Sequence, residues 1–189
     1  MRIIAGKWKG FPLAAPKDPH IRPTSDRLRE TIFNILNSYF TTESISFDTL
    51  NVLDVFAGTG ALGLEALSRG AKKATFIEKR AQACRIIYKN MSFLRAEKYC
   101  TLIQSDALSL KVPGICYELV FLDPPYNLNL CIKALDKLFE QQWLGKGAFI
   151  ILETSALEDI KLSCEFKILD HRIVGRSGLW IVRNIKGRS

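Results

Sequence analysis

A chain of 189 residues with 48% hydrophobic content can bury a sizeable core and falls in the size range of a single domain. No apolar run approaches the roughly 20 residues that span a bilayer. The start MRIIAGKWKG lacks the apolar core and cleavage site of a secretory signal, so the expectation is a cytoplasmic protein with no membrane partner.

Five cysteines, an odd number without C-x-x-C spacing, are expected as reduced and mostly buried thiols. Two histidines, His20 and His171, leave metal and Ser-His-Asp chemistry little to work with. The net charge of +8 points to a polyanionic partner. It gathers at the ends: residues 1–30 carry seven Lys/Arg against three Asp/Glu, and residues 171–189 carry five against none. An excess of solvated lysines would give the same total.

Residues 1–16 alternate loosely (Ile3, Ile4, Trp8, Phe11, Leu13) around Gly6, Gly10 and Pro12, which predicts a small hairpin or arm. Lys7 and Lys9 on it are candidate phosphate contacts. Trp8 and Phe11 are suited either to stack on bases or to pack the arm onto the body. After a proline-punctuated loop, Thr24 or Ser25 caps a helix over about 26–39, with a stripe of Leu28, Ile32, Ile35, Leu36 and Tyr39. Arg27 and Arg29 are expected to face away from that stripe.

From residue 46 onward, strand and helix alternate. Strands are predicted at 52–56, 74–78, 99–104, 119–123 and 148–153, with helices over 62–69, 80–93 and 129–143 between them. Two more strands, 165–170 and 179–184, flank a turn at 175–178. The pattern predicts an α/β, doubly wound, Rossmann-like sheet of about seven mostly parallel strands. We expect one domain over 1–189, with an N-terminal arm and helix (1–45) and a catalytic core (46–189).

Ligands of such sheets collect at the carboxyl ends of the strands. Gly58, Glu78, Asp106 and Asp123 all stand at predicted strand ends, hence on one rim. Gly58, Gly60 and Gly63 form G-x-G-x-x-G between a strand and a helix, and Glu78 follows 20 residues after Gly58, where an acid can hold a ribose. This is the fingerprint of an adenosine cofactor, whether NAD or another. Asp106 is placed either to accept from an adenine amino group or to cap the turn that follows it. Asp54, inside the first strand, needs partners, for which backbone N–H groups of the glycine loop are suited, and is read as shaping the cofactor pocket.

The specific element is Asp123-Pro124-Pro125-Tyr126. Two prolines after a strand fix a stiff turn. The aspartate and the Pro124 carbonyl then offer two acceptors to an NH₂ group on a planar ring, and Tyr126 offers a stacking face. Holding the amine's protons and its line of attack lowers the barrier to alkylation by orientation and electrostatics.

DVFAGTG and DPPY resemble S-adenosylmethionine-dependent amino-methyltransferases. RIIAGKWKG, RPTSDRLRETIFNIL, GALGLEALSRGA and FLDPPY resemble the RsmD family, which methylates the N2 amine of guanine 966 in bacterial 16S ribosomal RNA; the likeness runs from Arg2 to about Asn184. It implies S-adenosylmethionine as cofactor, with Gly58 and Gly60 at its methionine part, Glu78 at its ribose and Asp106 at its adenine. It implies the target guanine at Asp123, Pro124 and Tyr126, with Pro125 alongside. It also implies Arg22, Thr24, Arg27 and Arg29 on the RNA side, and 16S ribosomal RNA, within the 30S subunit or an assembly intermediate, as partner; nothing in the sequence demands more than a monomer. The rivals are a DNA adenine-N6 or cytosine-N4 methyltransferase, an NAD(P)-dependent oxidoreductase, which leaves Asp123 to Tyr126 without a purpose, and a non-catalytic RNA-binding protein.

Overall fold

The computed structural model describes residues 1–15, 25–125 and 129–186. Seven strands form one sheet: β1 (Asn51–Val55), β2 (Lys73–Glu78), β3 (Cys100–Gln104), β4 (Tyr117–Leu122), β5 (Leu144–Ser155), β6 (Phe166–Val174) and β7 (Ser177–Asn184). Their order is β3-β2-β1-β4-β5-β7-β6, with β1 to β5 parallel and β7 antiparallel to both its neighbours. The inner strands β1 and β4 are mostly apolar and buried because both of their faces are covered; Asp54 in β1 is an exception.

Register sets the rim. Val55 lies beside Ile77 and Leu122, and Leu122 beside Leu152, so β1, β2 and β4 end close to one level, while β5 runs on to Ser155 along β7. Residues just past these partners, among them Glu78, Asp123 and Glu153, therefore share one edge.

On one face lie α1 (Asp26–Thr42), α2 (Ala61–Ser68) and α3 (Ala81–Phe93); α4 (Leu130–Glu140) lies on the other. Ser25 caps α1, its Oγ accepting from the Leu28 N–H at 3.2 Å. The α1 stripe then packs with Phe121, Phe149 and Ile151 of the sheet.

Helix α4 stops at Glu140, three residues before the predicted end. Gln142 at φ 62° turns the chain, and Trp143 stacks on Tyr117 and donates to the Lys111 carbonyl instead. The terminal turn is shorter than predicted. Gly175, at φ 65°, takes its first position, whereas Ser177 and Gly178 already belong to β7.

The N-terminal arm is a small hairpin, closed by a bridge between Arg2 and Pro12, and its Ile3 and Leu13 enter the core shared with α1, α2 and α3. Gly6 is required there: a Cβ on it would run into the Ser68 carbonyl, and its φ is 80°. Trp8 packs against the core and Phe11 edge-on against Phe93, so both serve docking of the arm.

Arg29 contradicts expectation. It is wholly buried, its guanidinium donating to Asp26 at 2.6 Å and to the Arg2 carbonyl at 2.7 Å. Buried Glu65 stands 3.9 Å from it and accepts from the Ile4 and Ala5 N–H groups and from Arg69. A buried charge is costly unless paired. Arg29 is therefore a clasp between helix and arm, not a residue of the RNA side.

All five cysteines are free, but only Cys84 and Cys131 are buried; Cys164 is exposed. Among the described residues no helix is long and apolar enough to cross a membrane.

Candidate active site

A cleft of about 910 Å³ runs along the carboxyl rim of the sheet. Its first half is built on the turn after β1. Phe56, Gly58 and Gly60 all take positive φ (62°, 57° and 76°), and a bulky residue such as Phe56 holds that conformation only under constraint from its surroundings.

The constraint is a set of hydrogen bonds. The Ala57 N–H donates to the Ile77 carbonyl, the Gly60 N–H to the Ala57 carbonyl, and the Gly58 N–H to Glu78 at 2.9 Å. Glu78 also accepts from the Arg80 N–H at 2.8 Å and from its guanidinium at 3.1 Å. Burial pushes the Glu78 carboxyl up, but the Arg80 and Gly58 hydrogen bonds outweigh it and hold the group below the usual range. It is an anion fixed in place at the cleft wall.

Asp54 is buried at the floor and accepts the Gly63 N–H, in the first turn of α2, at 2.9 Å. Burial pushes its carboxyl up to about 7; that hydrogen bond opposes the rise and the charge of Glu78 adds to it. Asp106 caps the short turn Ala107–Ser109 through the Leu108 N–H and pairs with Lys79 at 2.9 Å; those two contacts lower its carboxyl. The capping role weighed from sequence is thus present. A carboxylate with about four acceptor sites keeps room for a ligand beside it.

Gly60 does not line the cleft. A Cβ on it would stand 3.3 Å from the Phe76 ring, and one on Gly63 would run into the same ring. These two glycines let α2 close on β2, and their work for a ligand is indirect.

The second half lies past β4 and β5. Asp123, Pro124 and Pro125 line it, with Arg27 and Thr31 from α1, Glu153 from β5 and Arg176 from the β6–β7 turn. Asp123 is half-buried and Pro124 buried. Tyr126, Arg22 and Thr24 fall outside the described residues. Lys7 and Lys9 are exposed on the arm and are not among the residues that line the cleft. Lys7 packs over the rings of Trp8 and Tyr99 at 4.2 and 4.8 Å.

The rim thus brings together Asp54, Gly58, Glu78, Asp106, Asp123, Pro124, Pro125 and Arg27 from the sequence-derived set. It adds Lys79, Arg80 and Glu153. Lys79 and Arg80 adjoin Glu78 in sequence, and Glu153 ends a predicted strand just as Glu78 and Asp123 do, so its signal was present.

Solved structures share this architecture. An RNA methyltransferase from Salinibacter ruber in complex with S-adenosyl-L-homocysteine matches in fold alone, with TM-score 0.66 at 16% identity over 89% of this chain and 97% of that one. The Escherichia coli protein yhhF superposes with TM-score 0.84, at 32% identity over 97% of both chains. Fold and rim define the class: a Rossmann-like methyltransferase, an enzyme that draws its methyl group from S-adenosylmethionine.

A family model described as "Conserved hypothetical protein 95" matches residues 1–183. The ribosomal RNA small subunit methyltransferase D of Haemophilus influenzae is 40% identical over 158 residues, covering 82% of this chain and 78% of that protein. Its namesake in Escherichia coli K12 is 40% identical over 155 residues, covering 82% and 74%. The chain belongs to the ribosomal RNA small subunit methyltransferase D family.

Proposed function

We propose that this chain methylates the exocyclic N2 amine of guanine 966 in 16S ribosomal RNA, acting as one domain over residues 1–189 and as a cytoplasmic monomer on the 30S subunit or an assembly intermediate. The observation that carries the reaction is the placement of Asp123-Pro124-Pro125 in one cleft with the glycine loop and Glu78. The relatives' name, ribosomal RNA small subunit methyltransferase D, supports the substrate class.

The cofactor half fits S-adenosylmethionine by its donor set. Three carboxylates (Asp54, Glu78, Asp106) face a space that would receive a ribose, an adenine amine and a cationic amino-acid part. Gly58, at φ 57° with only the Phe56 carbonyl oxygen, at 3.8 Å, near where a Cβ would stand, permits close backbone approach. When bound, the cofactor supplies an electrophilic methyl group on a sulfonium.

The protein's residues do the rest. Glu78 would accept from the ribose hydroxyls, and Asp54 would face the cationic end. Asp123 and the Pro124 carbonyl would hold the two amine protons, aiming the nitrogen lone pair along one line. Asp123 would also receive the proton that the alkylated nitrogen sheds, keeping the product amine neutral. Tyr126 would stack on the base, extruded from its helix to reach the cleft. Arg27, at the cleft mouth, would contact phosphate, and Lys7 and Lys9 would reach RNA that extends beyond the cleft.

The test is label transfer from tritiated S-adenosylmethionine to 16S RNA and to 30S subunits lacking the modification, followed by nucleoside analysis. Label in N2-methylguanosine is expected. Label in another nucleoside, or in DNA alone, would overturn the assignment of base and atom.

A further inference from the structure

Glu153 is a buried acid on the acceptor side of the cleft, and neither the glycine loop nor the Asp123 turn accounts for it. It sits on β5 one residue past Leu152, the partner of Leu122, and Asp123 is one residue past Leu122. The two acids thus stand at the same level on neighbouring chains, Asp123 just past the end of β4 and Glu153 inside β5, their backbones about 4.8 Å apart. Cys131, at the start of α4, fixes that juncture from beneath, its thiol facing the carbonyls of both Leu122 and Glu153 at 3.7 and 3.8 Å. Side-chain alternation along β5 puts Glu153 on the same face as Ile151, the face covered by α1, whose Arg27 and Thr31 line the cleft.

The carboxylate is held in one orientation. Ser177 Oγ donates to Glu153 Oε1 at 2.8 Å from the antiparallel neighbour β7. Gly178 beside it makes this possible: a Cβ there would lie 2.8 Å from Thr154 Oγ1, the same atom that accepts from the Trp180 ring N–H at 3.2 Å. The sequence therefore draws β7 tightly onto β5 where Ser177 meets Glu153.

We infer that Glu153 selects guanine, its carboxylate accepting the ring N1–H while Asp123 and the Pro124 carbonyl hold the N2 amine; this rests on the proposed guanine reaction. The chemistry of the three amine-bearing bases separates them at this one position. Guanine carries a proton on the ring nitrogen next to its reactive amine. Adenine at N1 and cytosine at N3 carry a lone pair there instead. A second carboxylate beside the amine holder therefore bonds guanine and repels the other two, a device that combines attraction with exclusion. A buried acceptor that expects a donor discriminates far more strongly than a pocket that reads shape alone.

The experiment uses the full-length enzyme and 16S RNA assembled with 2-aminopurine in place of the target guanine. That base keeps the N2 amine but has a lone pair at N1. The wild-type protein is expected to prefer guanine by about 10² to 10⁴ in kcat/KM. Glu153→Gln, whose amide can donate to that lone pair, is expected to cut the preference to within about tenfold, with cofactor affinity unchanged within about twofold. Wild-type enzyme that treats the two bases alike overturns the inference without recourse to any variant. So does a Glu153→Gln enzyme that binds cofactor and keeps the full preference. In both cases guanine methylation itself survives, whereas transfer to a base other than guanine would overturn the guanine reaction as well.

Discussion

The two halves of the cleft are built in opposite ways. In the cofactor half each acid is already anchored to backbone: Asp54 to the Gly63 N–H, Glu78 to Gly58 and Arg80, Asp106 to Leu108. These segments follow one another in the chain, from β1 to the short turn just past β3. In the acceptor half the lining comes from α1, β4, β5 and the β6–β7 turn, more than 140 residues apart in sequence. One half is prefabricated by local turns, and the other exists only once the whole sheet has assembled. Changes in the first should therefore show as lost cofactor binding or stability. Changes in the second should show as lost turnover or selectivity with the cofactor still bound.

The sharpest way to break this division is Asp123→Ala. It is expected to lower kcat by about 10² to 10⁴ while cofactor affinity, measured by calorimetry, stays within about threefold. Loss of affinity with turnover of the bound complex intact would move Asp123 to the cofactor side.

Gly60→Val acts in the other half. It sets a β-branched residue at φ 76° and drives its side chain into Phe76 and Ile87, so about 3 kcal/mol of stability should go, along with cofactor binding. A urea midpoint that does not move would show that α2 can yield.

Asp54→Asn probes the raised carboxyl. An acid whose folded value, about 7, lies above its ordinary value of 3.8 favours folding when protonated. The Asp54 contribution to wild-type stability should therefore be greatest below about pH 4 and be lost as pH rises through about 7, by on the order of 2–4 kcal/mol. The Asn variant, which can still accept from Gly63, should lose that slope. Because a cationic ligand favours the ionised acid, wild-type cofactor affinity should climb over the same interval and the variant's should not.

The smallest effects are electrostatic. Arg27→Glu, at the cleft mouth, should raise KM for RNA severalfold and reduce the salt slope of binding by about one. Lys7→Glu with Lys9→Glu should alter the slope by a similar amount with KM within about twofold. Equal changes in KM would mean that RNA meets the arm as intimately as the cleft.

The doubly wound α/β class, most helix positions and the rim were legible because strand and helix alternate regularly, the interior strands are mostly apolar, and Gly58, Glu78, Asp106 and Asp123 each stand at a strand end. What escaped was decided by tertiary partners. Arg29 stands three, four and seven residues before Ile32, Phe33 and Leu36, on the buried face of α1, but its charge reads as a surface residue until Asp26, Glu65 and the Arg2 carbonyl are seen to pair it in the core. Gly60 reads as a ligand-facing glycine until Phe76 and Ile87 show which side its missing side chain would occupy. Trp143 looks helical by periodicity, yet the ring of Tyr117 claims it. Glu153 carried the same strand-end signal as its neighbours, but no motif marked it.

The arm's contacts also bear on how the chain is made. Residues 1–15 leave the ribosome well before their partners: Glu65, which accepts from Ile4 and Ala5, lies 61 and 60 positions later, and Asn90, which brackets Ala14, lies 76 later. Asn90 also donates to the Thr59 carbonyl in the glycine loop, so one amide ties the arm to the cofactor turn. At about 5–20 residues per second, the apolar arm must wait several seconds for its seat. Docking of the arm thus waits on Asn90, and it completes only after the loop that receives the cofactor has been made.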